Sequence, residues 1–279
     1  MYFEYGDREY KIEKELTRPY FETPKGNKVD TLHSYIDVEP NAFVIYPYRI
    51  ASGKIELIAL EEIEDRYPFL FQFLNVIKPV LADPKRSIKP TPTNPDEWHR
   101  YGRSHGLSAC DSKTKIVVGV LSAGYKYAID RKQTFVSSGG TAGYCPVKIP
   151  ESCSYSEYYI QALLNSKYCE WYVTQHGEIN RGNYVSRGTK IIERLPIVPI
   201  NFEQGAEKSL HDKIAALQMS INETYTAVRA NAGDQRAIIP LERSLEMFQQ
   251  QMSEALKALF SLGELDDLIP SVEVLYGGD

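Results

Sequence analysis

Short β-rich runs and single amphipathic stretches fill the chain as far as residue 204, and a long-period helical texture follows. Residues 42–50 (AFVIYPYRI) and 54–60 (KIELIAL) flank Ala51-Ser52-Gly53 and predict a hairpin. A helix is predicted to start near Tyr67-Pro68, where proline suits the first turn. Its apolar positions Leu70, Phe71, Leu74, Ile77 and Leu81 recur at three- and four-residue steps, which buries one face. Pro79 is expected to kink or end the last turn. Residues 83–96 (DPKRSIKPTPTNPD) carry four prolines and predict an extended loop. Residues 115–121 (KIVVGVL) form a continuous apolar run, expected at the centre of a sheet. A strand is predicted at 134–136, before a glycine-rich turn at 139–143. A second helix is predicted over 155–170, with Tyr159, Ala162, Leu163 and Tyr168 facing a core. The run 190–200 (KIIERLPIVPI) reads as a strand with an extended exit through Pro196 and Pro199.

Beyond residue 205 the period changes. Leu210, Ile214, Leu217, Ile221 and Val228 mark one apolar seam over 206–231. Leu241, Leu245, Phe248, Met252, Leu256 and Leu259 mark another over 236–262. With a short connection near Gly233-Asp234, the two are expected to pack as an antiparallel hairpin. The expected fold is α+β. A mixed, mostly antiparallel sheet domain with packed helices covers 1–204, and a C-terminal helical hairpin and tail covers 205–279. The pattern alone leaves open whether that hairpin completes the core or serves as a partner-binding arm.

Composition narrows the setting. Charged residues make up 25% and apolar residues 43% of 279, which is ordinary globular usage. No apolar run approaches the roughly 20 residues of a membrane span, and the N-terminus lacks the apolar core of a signal peptide. Cys110, Cys145, Cys153 and Cys169 form no CxxC pair, which points to reduced thiols and a cytoplasmic location. The net charge of −5 argues against nucleic acid until it is divided along the chain. Residues 85–148 hold 11 basic against 4 acidic residues, a local net of +7 between acidic ends. Local potential acts within about 8 Å at physiological salt, so such a block can meet a polyanion. Its cations are interleaved with Trp98, His99, Tyr101, Tyr125, Tyr127 and Tyr144.

Several catalytic signatures are missing: there is no GxxxxGK(S/T) or HExxH. The five histidines are scattered, and no metal site is expected. Pro95-Asp96 followed by Asp111-Ser112-Lys113 formally fits a PD…(D/E)xK nuclease pattern. That chemistry needs the second acid and the lysine within a strand, whereas here the lysine precedes the strand at 115, so coincidence is the preferred reading.

The linear order of features resembles the C-terminal specificity domain of TaqI-like adenine-specific DNA methyltransferases, including fused restriction–modification enzymes. The resemblance rests on Tyr10-Lys11-Ile12-Glu13-Lys14-Glu15-Leu16, Val44-Ile45-Tyr46-Pro47-Tyr48, and Trp98 with Tyr101-Gly102-Arg103. It continues through Lys115-Ile116-Val117-Val118, Tyr159 to Leu163-Leu164-Asn165-Ser166 with Trp171, Leu195-Pro196-Ile197, and the tail from Leu259 to Leu265. The family's catalytic half carries an S-adenosylmethionine glycine loop and an (N/D/S)-P-P-(Y/F) tetrapeptide. This sequence has neither, since Pro-Pro occurs nowhere in it.

The resemblance therefore implies a target-recognition module that is non-catalytic by itself, either a separate subunit or a piece of a longer protein. Its partners are expected to be double-stranded DNA and a methyltransferase domain or subunit in cis or trans, with no membrane. S-adenosylmethionine would be bound by that partner, and no cofactor is expected in this chain. Arg100, Arg103, Lys113, Lys126, Arg131 and Lys132 are candidates for phosphate or guanine contacts. Ser137, Ser138, Thr141 and Tyr144, on a turn after a strand, are candidates for base contacts. A second polar loop (INRGNYVSRG) offers Arg181, Asn183, Tyr184 and Arg187. Arg103 has a rival structural role, pairing an acid inside the fold. Rival functions are an interaction subunit docking a methyltransferase or nuclease through the helical hairpin, a carbohydrate- or peptide-binding module suggested by 20 tyrosines, and the metal-dependent nuclease.

Overall fold

The computed structural model describes residues 1–22, 32–51, 54–86, 88, 95–102, 106–136, 143–180 and 182–276. Contacts divide the chain into two compact units. Met1–Phe21, Pro40–Asp111 and Gln133–Phe135 form the first, and Glu22–Glu39, Ser112–Lys132 and Val136–Asp279 the second. Each combines short antiparallel strands with packed helices, so the class is α+β. Among the described residues, no helix is long and apolar enough to cross a membrane.

In the first unit, β1 (Tyr2–Tyr5) and β2 (Arg8–Lys11) form a hairpin, and β3 (Thr17–Phe21) pairs with β4 (Ala42–Ile45). Only the second half of the expected 42–60 hairpin forms, as β5 (Tyr48–Ala51) against β6 (Lys54–Leu57). Pro47 has no N–H for a ladder, so the run breaks there and its first half pairs with β3 instead. Ser52 and Gly53 lie outside the described residues.

Helix α1 (Leu60–Arg66) leads into α2 (Pro68–Leu81), which starts at the expected proline. Two of α2's unpaired N-terminal donors, on Phe69 and Leu70, reach the Glu13 carboxylate, both at 3.0 Å. Pro79 sits in the last turn, and the helix still runs to Leu81. Leu70, Phe73 and Leu74 bury against Ile12, Leu16, Ile58, Ile63, Tyr67 and Trp98. The 83–96 loop falls partly outside the described residues, and Pro95–His99 is a 3-10 turn rather than extended chain. A short α3 (Leu107–Cys110) follows.

The second unit is built on β7 (Lys115–Gly119), central as expected, with β9 (Tyr127–Asp130) and β11 (Tyr144–Lys148) on its two sides. Every residue of β7 and β9 is buried, which explains the continuous apolar run. Lys115 is enclosed with them, directly opposite Asp130 in the ladder and ion-paired to it. Leu121–Ser122 forms β8, and Phe135–Val136 forms β10 at the predicted 134–136 strand, Phe135 belonging to the first unit and Val136 to the second.

The predicted 155–170 helix is two helices, α4 (Glu157–Leu164) and α5 (Lys167–His176). Asn165 breaks it by donating to the carbonyls of Ser34 (3.0 Å) and Tyr127 (3.2 Å). Ser166 then caps α5 by accepting from Cys169 N–H. Strands β12 (Ile179–Asn180) and β13 (Tyr184–Ser186) come next. The strand expected at 190–200 is absent. Gly188 caps a short helix, α6 (Thr189–Ile192), and Pro196 and Pro199 withhold ladder donors from the rest.

Helices α7 (Gly205–Ala230) and α8 (Gln235–Phe260) form the expected antiparallel pair, with Asp234 capping α8. Ile214, Leu217, Ile221, Met252, Ala255 and Leu256 share one core with Tyr159, Ala162, Leu163 and Tyr168. The pair therefore completes the core of the second unit, and α9 (Val272–Tyr276) closes the described chain.

Removing one partner of a buried ion pair strands the other charge. Lys115→Ala is expected to cost about 3–5 kcal/mol, read as a lower urea midpoint, with Lys115→Met plus Asp130→Leu costing far less. All four cysteines are free thiols, and burial pushes Cys169 up to about 12. Cys169 should resist iodoacetamide at pH 8 in the folded protein and react once unfolded, as mass spectrometry would show.

Candidate nucleic-acid interface

The polar segment 179–187 is a β-hairpin rather than a loop. Ile179 pairs with Val185 and Asn180 with Tyr184, and β13 pairs on its other side with β8. Gly182 and Asn183 both take positive φ, 80° and 60°, which glycine and asparagine tolerate best. Its take-off is equally constrained. A Cβ at Gly177 would lie 2.3 Å from Val185 Cγ1 and 2.7 Å from the Val173 carbonyl, so only glycine lets β13 lie this close to α5.

Arg187 does not reach solvent. Its side chain is 0% exposed and ion-paired with Glu170 of α5, itself fully enclosed. The guanidinium also donates to the carbonyls of Ser122 (3.0 Å), Gly124 (2.7 Å) and Val185 (3.2 Å), and to the hydroxyls of Ser122 (2.5 Å) and Tyr276 (3.0 Å). Tyr276 in turn donates to Glu170. Burial, the largest single influence, works against the charge of Arg187, but the Glu170 carboxylate together with Tyr127 and Tyr276 raises the guanidinium's pKa above its ordinary value. Arg187 is thus corrected from candidate DNA contact to the anchor of the hairpin. An inward-pairing role, the one the sequence suggested for Arg103, is seen at Arg187, while Arg103 itself lies outside the described residues.

The remaining candidates divide by exposure. Asn183 and Tyr184 are exposed at the hairpin tip. Tyr144 is buried at the start of β11, so its ring belongs to the interior rather than to a base-contacting turn. Lys113 stands at the surface beside Glu151, at 3.2 Å, both side chains more than 80% exposed. Arg131 spans Asp37 and Glu157 and lies over the Tyr158 ring, while Lys132 meets Glu39 at 2.5 Å. Lys126 donates to the Leu32 carbonyl at 3.1 Å. Arg100, in the first unit, pairs with Glu97 at 3.0 Å. Arg103, Ser137, Ser138, Thr141 and Arg181 lie outside the described residues.

The basic block is thus less uniformly available than its net charge implies. Lys115 is internal, and Arg86 ties together the carbonyls of Leu81, Trp98 and Arg100. Asp111, the second acid of the nuclease pattern, faces Arg18 at 3.6 Å. His99 is buried with Nε2 on the Ile58 carbonyl at 2.9 Å, and burial lowers its pKa, so it is neutral at pH 7. Among the described residues, no three His, Cys, Asp or Glu side chains gather as a metal site. Glu178 and Asn180 are polar positions that the sequence does not single out, and their alternation with Ile179, mirrored by Tyr184 and Ser186 across Gly182, is the pattern of a short hairpin.

Comparison with known proteins adds a lineage to this geometry. Residues 64–197 match the family model of the TaqI-like C-terminal specificity domain. Over 276 residues, 99% of its length, the chain is 51% identical to the type II restriction enzyme and methyltransferase RM.Eco57I of Escherichia coli. It spans 27% of that relative's length.

Because Arg187 holds buried partners, Arg187→Ala is expected to destabilise the fold by about 3–5 kcal/mol. Arg187→Lys should rescue little, since one ammonium cannot serve two forks of acceptors. Chemical denaturation of both variants checks this; a stable Arg187→Ala that only weakens DNA binding would return the residue to the interface.

Proposed function

We propose, from the TaqI-like C-terminal specificity domain carried at residues 64–197, that this chain recognises a short duplex DNA sequence for an adenine-specific methyltransferase in restriction–modification. The observation that carries the reading is that match, set within 51% identity to a protein named for both restriction and methylation. The chain supplies no methyl-transfer residues. S-adenosylmethionine is held by the methyltransferase domain or subunit, in cis or trans, and the setting is the cytoplasm. The module's work is positional. It holds a duplex in register while the partner extrudes an adenine, a step costing a few kcal/mol.

The surface cations suit that task. Lys113, Arg131 and Lys132 each rest on acids at the surface, and such exposed pairs contribute only about 0–1 kcal/mol. Exchanging those carboxylates for phosphates therefore costs little, and each phosphate bound releases counterions from the duplex. Lys126, in the same unit as those three, extends the proposed surface, Arg100 is a separate candidate on the first unit, and Arg103, Ser137, Ser138, Thr141 and Arg181 remain candidates outside the described residues.

Fluorescence anisotropy with a labelled duplex across a salt series tests the reading. Lys113→Ala and Lys132→Ala are each expected to weaken binding across sequences and to reduce the slope of log K against log salt by about 0.9. No affinity for any duplex at low salt would overturn it in favour of a docking role for the α7–α8 pair.

A further inference from the structure

We infer that the outward face of the β12–β13 ribbon reads bases in the major groove, with Asn180 and Tyr184 addressing an adenine-bearing base pair. The inference rests on the DNA-recognition reading above and names the surface that performs it. The strand register puts Asn180 opposite Tyr184. Strand alternation puts Glu178 and Ser186 on the same face, where Ser186 N–H donates to the Glu178 carbonyl at 2.9 Å. One face therefore carries a carboxylate, an amide, a phenol and a hydroxyl, while Val185 on the other face is buried.

The dimensions fit a duplex. Side chains two residues apart on a strand are separated by about 6.8 Å, the rise of two base pairs at about 3.4 Å each. A two-stranded ribbon is one of the elements that a major groove about 12 Å wide admits. The chemistry fits adenine. Asn180 Nδ2 donates to the Glu178 carbonyl at 3.1 Å, which leaves its second N–H and Oδ1 for a base. Those two groups match N7 and N6 of adenine as a bidentate pair.

Exposure also needs an explanation. Tyr184 is 46% exposed, on an element whose base is held by the enclosed Arg187 cluster. A ring displayed on a rigid support loses little freedom on binding. Pairing of a further strand onto β12 does not account for the display, because that edge is two residues long.

Selection from a randomised duplex library, using this chain and its Asn180→Ala, Asn180→Asp and Tyr184→Ala variants, tests the inference. The native chain is expected to select a motif containing an adenine that Asn180→Ala no longer prefers, by about tenfold or more. Asn180→Asp should exchange that adenine for cytosine, because a carboxylate only accepts, and Tyr184→Ala should relax the same or the adjoining position. Melting temperatures of the variants should match the native chain, separating readout from folding. Identical motifs from all four proteins would overturn the inference and leave DNA recognition standing. No motif from the native chain would overturn the reading on which it rests.

Discussion

A guanidinium without access to water is the constraint around which the second unit is assembled. Moving such a charge out of water is so costly that it survives only where a counter-charge and acceptors surround it. For Arg187 these come from the adjoining β13 and from β8, the turn after it, α5 and α9, which are distant in sequence. Holding the two terminal nitrogens of one side chain therefore fixes five pieces of chain together. The hairpin that grows from this point inherits a rigid base, and Glu178, Asn183 and Tyr184 are exposed on it.

The same logic divides the basic block into cations that build and cations that can bind. Lys115 faces Asp130 within the sheet, and Arg86 collects three carbonyls, so neither contributes a free charge to a surface. Lys113, Arg131 and Lys132 hold acids in exposed pairs, which water and salt weaken. A net charge counted along the sequence adds both kinds together. What a polyanion meets is only the second kind.

Much of the fold was legible because long periods are decisive. The seams of α7 and α8, the buried stripe of α2 and the continuous apolar run of β7 each admit one structure. Failures came where a single polar side chain chose between two. Asn165 diverts its amide to the Ser34 and Tyr127 carbonyls and splits one predicted helix into α4 and α5. Pro47 cuts one predicted hairpin, and Pro196 with Pro199 leaves a β-like run without a partner. The segment INRGNYVSRG passed for a loop because its strands are two and three residues long, too short for periodicity to register.

For this protein, the sequence by itself determined the α+β class, the helical pair and the order of motifs that resembles a specificity domain. These depend on apolar spacing and residue order, which are local or linear properties. Only the tertiary structure decided which arginine is internal. Arg187 stands one residue beyond β13, in the same polar run as the exposed Tyr184. Glu170 and Tyr276, lying 17 and 89 residues away, make it an anchor. Long-range pairing of a buried charge leaves no trace in local pattern, so the buried and exposed members of one polar run separate only in three dimensions.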